Sequence, residues 1–269
     1  MKPNYFSISM YPTVAFNEEE LLGRLLDVFE SNEKFAPTHW GNSETVRVEY
    51  NREEILEKVV SEGRVSEVHL YRDKSVNYRG SFQVRSGHGS FLDLEFQKSI
   101  AKKMWPDFFK LADQIAEIAK PSFGTAQMCW PVPYPWNTER ERLLMWMNIS
   151  SLPIPVRFLP NGPLGIGART YFSGHILEMF DRDFLLNAPA VVSELEWGGV
   201  CMDLLQDPLE ADGDTWLDRW LDVMNYLEPA QVIAVPSFHE SRMAVMYSPN
   251  VAWKKHLGNE RSKKWNERI

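Results

Sequence analysis

Gly165-Ile166-Gly167-Ala168-Arg169-Thr170-Tyr171-Phe172-Ser173 opens the stretch that decides the fold, and Leu195-Glu196-Trp197-Gly198-Gly199-Val200-Cys201-Met202-Asp203-Leu204-Leu205 closes it. Both ends are short runs rich in aromatic, β-branched and other apolar residues, so both read as strands. His175 to Leu186 between them is a short amphipathic segment. Gly198-Gly199 inside a strand pattern predicts a bulge or a close backbone approach. Trp197 is expected in the core beside it, and Cys201 as a buried thiol. Arg169 and Glu196 are candidate partners on adjacent strands. Neither end carries the marks of a catalyst, so the stretch reads as structural core.

The distinctive chemistry lies just downstream, in a row of carboxylates: Asp203, Asp207, Glu210, Asp212, Asp214, Asp218 and Asp222. Pro208 and the acidic loop Asp207 to Asp214 lead into a helix expected over Thr215 to Leu227. Trp216, Leu217, Trp220, Leu221, Met224 and Leu227 recur on one face of it, and Asp218 and Asp222 fall on the opposite, solvent side. Pro229 ends it. Val232 to Val235 and Met243 to Met246 read as a closing strand pair, followed by a basic, frayed tail from Lys254 to Ile269.

Upstream, Tyr5 to Val14 alternates as a strand. Asn17 followed by Glu20 resembles a capping box, and Leu21, Leu22, Leu25, Leu26 and Phe29 continue at helical spacing. Pro37 to Asn42 reads as a turn and Thr45 to Tyr50 as a strand. Asn51 with Glu54 caps a second helix, stopped by Gly63. Three strands follow: Val65 to Arg72, Tyr78 to Val84 and Phe91 to Phe96. In the last, Phe91, Asp93 and Glu95 alternate with Leu92, Leu94 and Phe96. Short polar connections predict antiparallel hairpins. A long helix then runs to about Ala119 with Pro106 at a kink or a first turn, before a strand over Phe123 to Cys129. Trp130 to Trp136 alternates with proline and favours extended backbone. Thr138 with Glu141 caps another helix, and Pro153 to Pro160 holds a strand.

The expected architecture is α+β, with mostly antiparallel sheet and packed helices in two loosely similar halves. Residues 1–129 form the first half, 130–137 a proline-rich strap and 138–269 the second, which together could make one compact domain.

The chain has 269 residues and a formal net charge of -8, from 37 acidic and 29 basic side chains. That balance disfavours direct nucleic-acid or anionic-membrane binding and suits a basic partner. Two cysteines are too few for a disulfide framework. No signal-peptide pattern and no long apolar run are apparent, so a cytoplasmic setting is expected. Ten Trp and fifteen Phe are many, not all need be buried, and exposed aromatics are common interface anchors.

Catalytic motifs fail their spacing tests. Asn161 to Gly167 has neither G-x-G-x-x-G spacing nor a Lys-Ser/Thr pair. His175 and Glu178 lack a third metal ligand nearby, and His239-Glu240 lacks a second His. No G-x-S-x-G elbow nominates a nucleophile. Asp203, Asp207, Asp212 and Asp214 do not match a calcium loop. No catalytic residue, cofactor or metal is assigned, and the chain is expected to be a binder and not an enzyme. A small-molecule or carbohydrate-binding module and an enzyme of unrecognised type are the alternatives.

Arg169-Thr170-Tyr171-Phe172-Ser173, with Glu194-Leu195-Glu196-Trp197-Gly198-Gly199 and Asp203-Leu204, resembles bacterial immunity proteins of polymorphic-toxin and type VI secretion systems, and among these the immunity protein 52 family. The resemblance implies a cognate protein toxin, a nuclease, neutralised by direct contact. It marks no contact residues. From charge and loop position, Asp207, Glu210, Asp212 and Asp214 are the candidate partner-binding rim. Oligomeric state is left open.

Overall fold

The computed structural model describes residues 2–87, 90–96, 100–151, 161–209, 212–239, 241 and 244–255. Among these, ten strands form one sheet: β1 (Tyr5–Tyr11), β2 (His39–Gly41), β3 (Val48–Glu49), β4 (Glu67–Arg72), β5 (Tyr78–Gln83), β6 (Leu92–Phe96), β7 (Phe123–Cys129), β8 (Arg169–Phe172), β9 (Val191–Glu194) and β10 (Val200–Asp203). Their order is β3-β2-β4-β5-β6-β1-β7-β8-β10-β9. All neighbours pair antiparallel. β11 (Val235–His239) and β12 (Ala244–Ser248) make a separate two-stranded sheet. The α+β, antiparallel expectation is met. The sheet runs on across the proline-rich strap, because β7 pairs with β8.

Period-two alternation sets which side chains meet helices. Phe6, Ile8 and Met10 of β1 share a face with Phe96, Leu94 and Leu92 of β6 and with Met128, Ala126 and Gly124 of β7. α3 (Trp105–Ala119) packs on this face, with the Phe108 ring 5.4 Å from Phe6 and edge-on. α1 (Glu19–Glu30) lies against α3, and α2 (Arg52–Leu56), which continues as a π-helical turn to Ser61, buries Ile55 and Val59.

The opposite face is covered at the other end of the sheet. α4 (Glu139–Ser150) lies over β7, where Gln127 Nε2 donates to the Met147 carbonyl at 3.3 Å. α5 (Gly174–Phe180) reaches the same face through Phe180, 5.5 Å from Phe172. α7 (Gly213–Leu227) packs beside α4. α6 (Arg182–Leu186) stacks Phe184 on Tyr226 of α7 at 4.6 Å. Helices therefore cover one face of the first half and the other face of the second. Every residue of β7, in the middle, is buried.

Several local expectations are corrected. Asn17 does not cap α1: Glu18 occupies that position with no side-chain cap bond, and Glu19 and Glu20 supply negative charge to the first turn. The turn expected over Pro37 to Asn42 contains strand β2, whose Trp40 is 1% exposed; its burial against the sheet outweighs the local turn signals. The strand expected over Thr45 to Tyr50 shrinks to Val48–Glu49 at the sheet edge.

Gly198-Gly199 forms the turn between β9 and β10 and not a bulge. Gly198 has φ +91°, the left-handed region where glycine is at no disadvantage. The close approach is real at Gly199, where a Cβ would strike the Trp197 ring. Trp197 itself is half-buried at the margin of the core. Glu196 lies in the turn and is exposed, so Arg169 pairs elsewhere. The closing pair sits a few residues later than expected, at β11 and β12. Met243, the Pro153 to Pro160 strand and the tail from 256 onward lie outside the described residues.

Candidate functional site

The acidic row gathers where two helices begin. Asp212 is the N-cap of α7, its Oδ1 accepting from Thr215 N and Thr215 Oγ1, both at 2.9 Å. The Thr215 backbone hydrogen bond comes first among the causes that hold the Asp212 carboxyl below the usual carboxylate range. α4 begins alongside, capped by a Thr138–Glu141 box in which each residue bonds the other's backbone N–H. The two helices run side by side in one direction, and Trp146 meets Trp220 edge-on at 4.8 Å.

Arg140, in the first turn of α4, reaches across to α7. Its Nε lies 2.5 Å from Asp214 Oδ1, its Nη1 2.9 Å from Asp218 Oδ1, and its Nη2 donates to the Asp214 carbonyl at 3.1 Å. The bonds from Asp218 and Asp214 push the guanidinium pKa further up. Asp207 Oδ1 accepts from Leu209 N at 2.8 Å. Of the predicted rim, Asp207, Asp212 and Asp214 therefore all hold local structure as well as facing water. Glu210 lies outside the described residues. Asp214, Asp218 and Asp222 have side chains 75%, 62% and 61% exposed, so the ledge remains a surface of negative charge. Sequence reading missed Arg140, because its partners lie 74 and 78 residues away.

A second charged cluster locks α3 to the sheet. Arg169 on β8 grips Asp203 of β10 with both Nε (2.6 Å) and Nη2 (2.9 Å), and Asp113 of α3 with Nη1 (2.6 Å). Tyr171 donates to the other Asp113 oxygen at 2.6 Å. Burial acts to lower the Arg169 pKa, but the Asp203 hydrogen bonds and the Asp113 charge overcome it and raise it. Burial raises Asp113, against the pull of Arg169. With every polar group partnered within the chain, this cluster is structural.

A third polar array lies on the sheet face that α4 leaves uncovered. Ser7 of β1 stands opposite Glu95 of β6, and Ser9 opposite Asp93. Across β6, Asp93 faces Ser81 and Glu95 faces Arg79, both on β5. Ser81 Oγ donates to Asp93 at 3.1 Å, and Arg79 pairs with Glu95. Burial pushes the Asp93 carboxyl up to about 7, opposed by the Ser81 bond and reinforced by Glu95 and Glu67. The alternation of Asp93 and Glu95 with Leu92, Leu94 and Phe96 marked this face in the sequence; Ser7 and Ser9 carried no signal by themselves.

Among the described residues, no group of three or more His, Cys, Asp or Glu converges as a metal site would. No described helix is long and apolar enough to cross a membrane.

No protein-family model matches the chain, and no curated protein matches it either. Among solved structures it is similar to one described as Pseudomonas aeruginosa T6SS protein PA0821. The likeness covers 100% of this chain and 87% of that one, with 13% sequence identity and a TM-score of 0.55. At that identity the likeness is one of fold.

Proposed function

We propose that this chain is an immunity protein of a type VI secretion system, of the kind the immunity protein 52 family represents. It acts in the cytoplasm of the producing cell, where it binds a cognate antibacterial nuclease toxin stoichiometrically and transforms no substrate. The whole-chain likeness of fold to a T6SS protein is the observation that carries this reading.

The electrostatics support it. A nuclease presents positive charge where it holds phosphate, and an acidic partner is steered to that surface and covers it. The ledge of Asp207, Asp212 and Asp214, extended by Asp218 and Asp222, supplies the complementary field, and Glu210 completes the proposed rim in sequence. Arg140 holds Asp214 and Asp218 in place, so the charge is presented along the start of α7, braced from α4.

The test must spare the residues that cap or clamp. Asp207→Asn keeps the acceptor for Leu209 N, and Asp222→Lys changes an exposed charge facing Arg219 at 4.0 Å. Together they are expected to slow association with the toxin about five- to tenfold at low salt and to flatten its dependence on ionic strength, with dissociation little changed. Stopped-flow or surface-binding kinetics would read this. An association rate equal to that of the native chain would remove the ledge from the interface.

A further inference from the structure

We propose that the polar sheet face between β1 and β5 is a seat for a guanidinium group, supplied by an arginine of the protein partner and held by Asp93, Glu95 and Ser7. The source of the arginine rests on the toxin-binding reading; the seat itself stands on four observations.

First, the strand registers put these groups together. Ser7 and Glu95 are directly opposite, as are Ser9 and Asp93, and such pairs have Cβ atoms roughly 5 Å apart. Asp93 and Glu95 lie two residues apart on one side of β6, about 7 Å along the strand.

Second, Ser7 is 0% exposed, yet among the described residues its Oγ has no hydrogen-bond partner. Its other neighbour, Gln127, is engaged elsewhere: Nε2 donates to Met147 O, and Oε1 accepts from Met128 N and Ala168 N. An unpartnered buried hydroxyl costs about 1–3 kcal/mol, and a donor placed over β1 and β6 would satisfy it.

Third, the carboxylate charge here is under-matched. Arg79 pairs with Glu95, and His69 lies 3.1 Å from Glu67. Asp93 accepts only the uncharged Ser81 hydroxyl, and among the described residues no cation pairs with it.

Fourth, the face reaches water toward β5: Arg79 is 60% exposed, and Ser81 and Gln83 are half-buried, while Ser7 and Ser9 lie deeper, at 0% and 6% exposed, so a guanidinium enters from the β5 side. Half-buried Tyr5 and Tyr11 share this face from β1. A planar guanidinium carries five donors in a fork that suits paired carboxylates, and it stacks on aromatic rings.

The seat is coupled to pH. Asp93 is faced by Ser81 and Arg79 from β5, Glu95 from its own strand, Ser9 and Tyr11 from β1, and Glu67 and His69 from β4. With its carboxyl pushed up to about 7, the free protein holds a proton there near neutrality. An arriving guanidinium displaces that proton, so binding tightens as pH rises.

N-acetyl-argininamide titrated into the isotope-labelled full chain tests this by amide chemical shift, with neutral N-acetyl-glutaminamide as control. Saturable shifts at Ser7, Ser81 and Asp93 are expected, with affinity rising about tenfold from pH 6 to 8. Asp93→Asn keeps an acceptor for Ser81 and should weaken binding at least tenfold; Ser7→Ala should weaken it a few-fold. Asp93→Asn should also raise the melting temperature at pH 8 and change it little at pH 4. A carboxyl raised on folding takes up its proton in the native state, so the native carboxylate is a liability only at the higher pH. Absent shifts, shifts matched by the glutamine amide, or full affinity in Asp93→Asn would each overturn the seat. The probe is a small molecule, so its failure leaves toxin binding standing, and failure of toxin binding leaves the seat standing.

Discussion

Trp220→Ala is expected to cost about 4 kcal/mol of stability, the largest effect of any single substitution considered, and to sharply reduce the yield of folded protein. Trp220 is 0% exposed at the junction of α7, α4 and the Gly165 segment. Its ring meets Trp146 edge-on, and its Nε1 donates to the Ile166 carbonyl at 2.8 Å. Gly165 is pressed so close that a Cβ there would lie 2.7 Å from Ser150 Oγ and 3.2 Å from the indole. Truncation therefore leaves both a cavity and an orphaned carbonyl. Trp220→Phe separates the two, because it keeps most of the ring; the remaining loss should be about 1–2 kcal/mol from the lost hydrogen bond and the volume difference. Urea unfolding of the two variants would read both values. Equal losses would show that the hydrogen bond, lost in both, carries the whole effect and that the cavity adds nothing.

Arg169→Ala is expected to cost about 3 kcal/mol at pH 7.5. Breaking a buried pair leaves uncompensated charge and costs about 3–5 kcal/mol; the lower end applies because Asp113 is half in water. Arg169→Lys should recover only part, since one ammonium cannot reproduce two bonds to Asp203 and one to Asp113. The deficit should shrink as pH falls toward 4. Burial already favours the protonated form of Asp113, and without the guanidinium that preference grows, so the penalty is a property of the ionised carboxylate. Thermal melts from pH 4 to 8 check this. A deficit independent of pH would mean that packing on Phe109, whose ring centre is 5.1 Å from the guanidinium carbon, outweighs the charge.

Much of this fold was legible in the residues, for identifiable reasons. The apolar stripe of α7 and the alternation in β6 specify a face whatever packs on it, so the structure followed them. The Thr138–Glu141 cap and the Asn51 cap appeared as read because capping is settled within four residues. The misses were where tertiary contact overrides local chemistry. Trp40 drew a proline-and-glycine-flanked segment into a strand, and Gly198 at φ +91° closed a turn where a bulge was one expectation, while the expected close approach appeared at Gly199 under the Trp197 ring.

The candidate site was legible only as charge. The sequence placed Asp207, Asp212 and Asp214 in one loop, but not Arg140 between them and α4. The seat on the sheet face needed the register of β1 against β6, which joins residues nearly ninety positions apart. No local pattern encodes that pairing, since strands far apart in sequence are brought together only by the assembled sheet.

The most direct measurement is growth of cells producing the product of a neighbouring gene as the candidate toxin, with and without this chain, together with the mass of the complex recovered from them. The account predicts restored growth and a complex of defined stoichiometry that persists through purification. Unrestored growth with both proteins present and folded, and no complex between them, would contradict it.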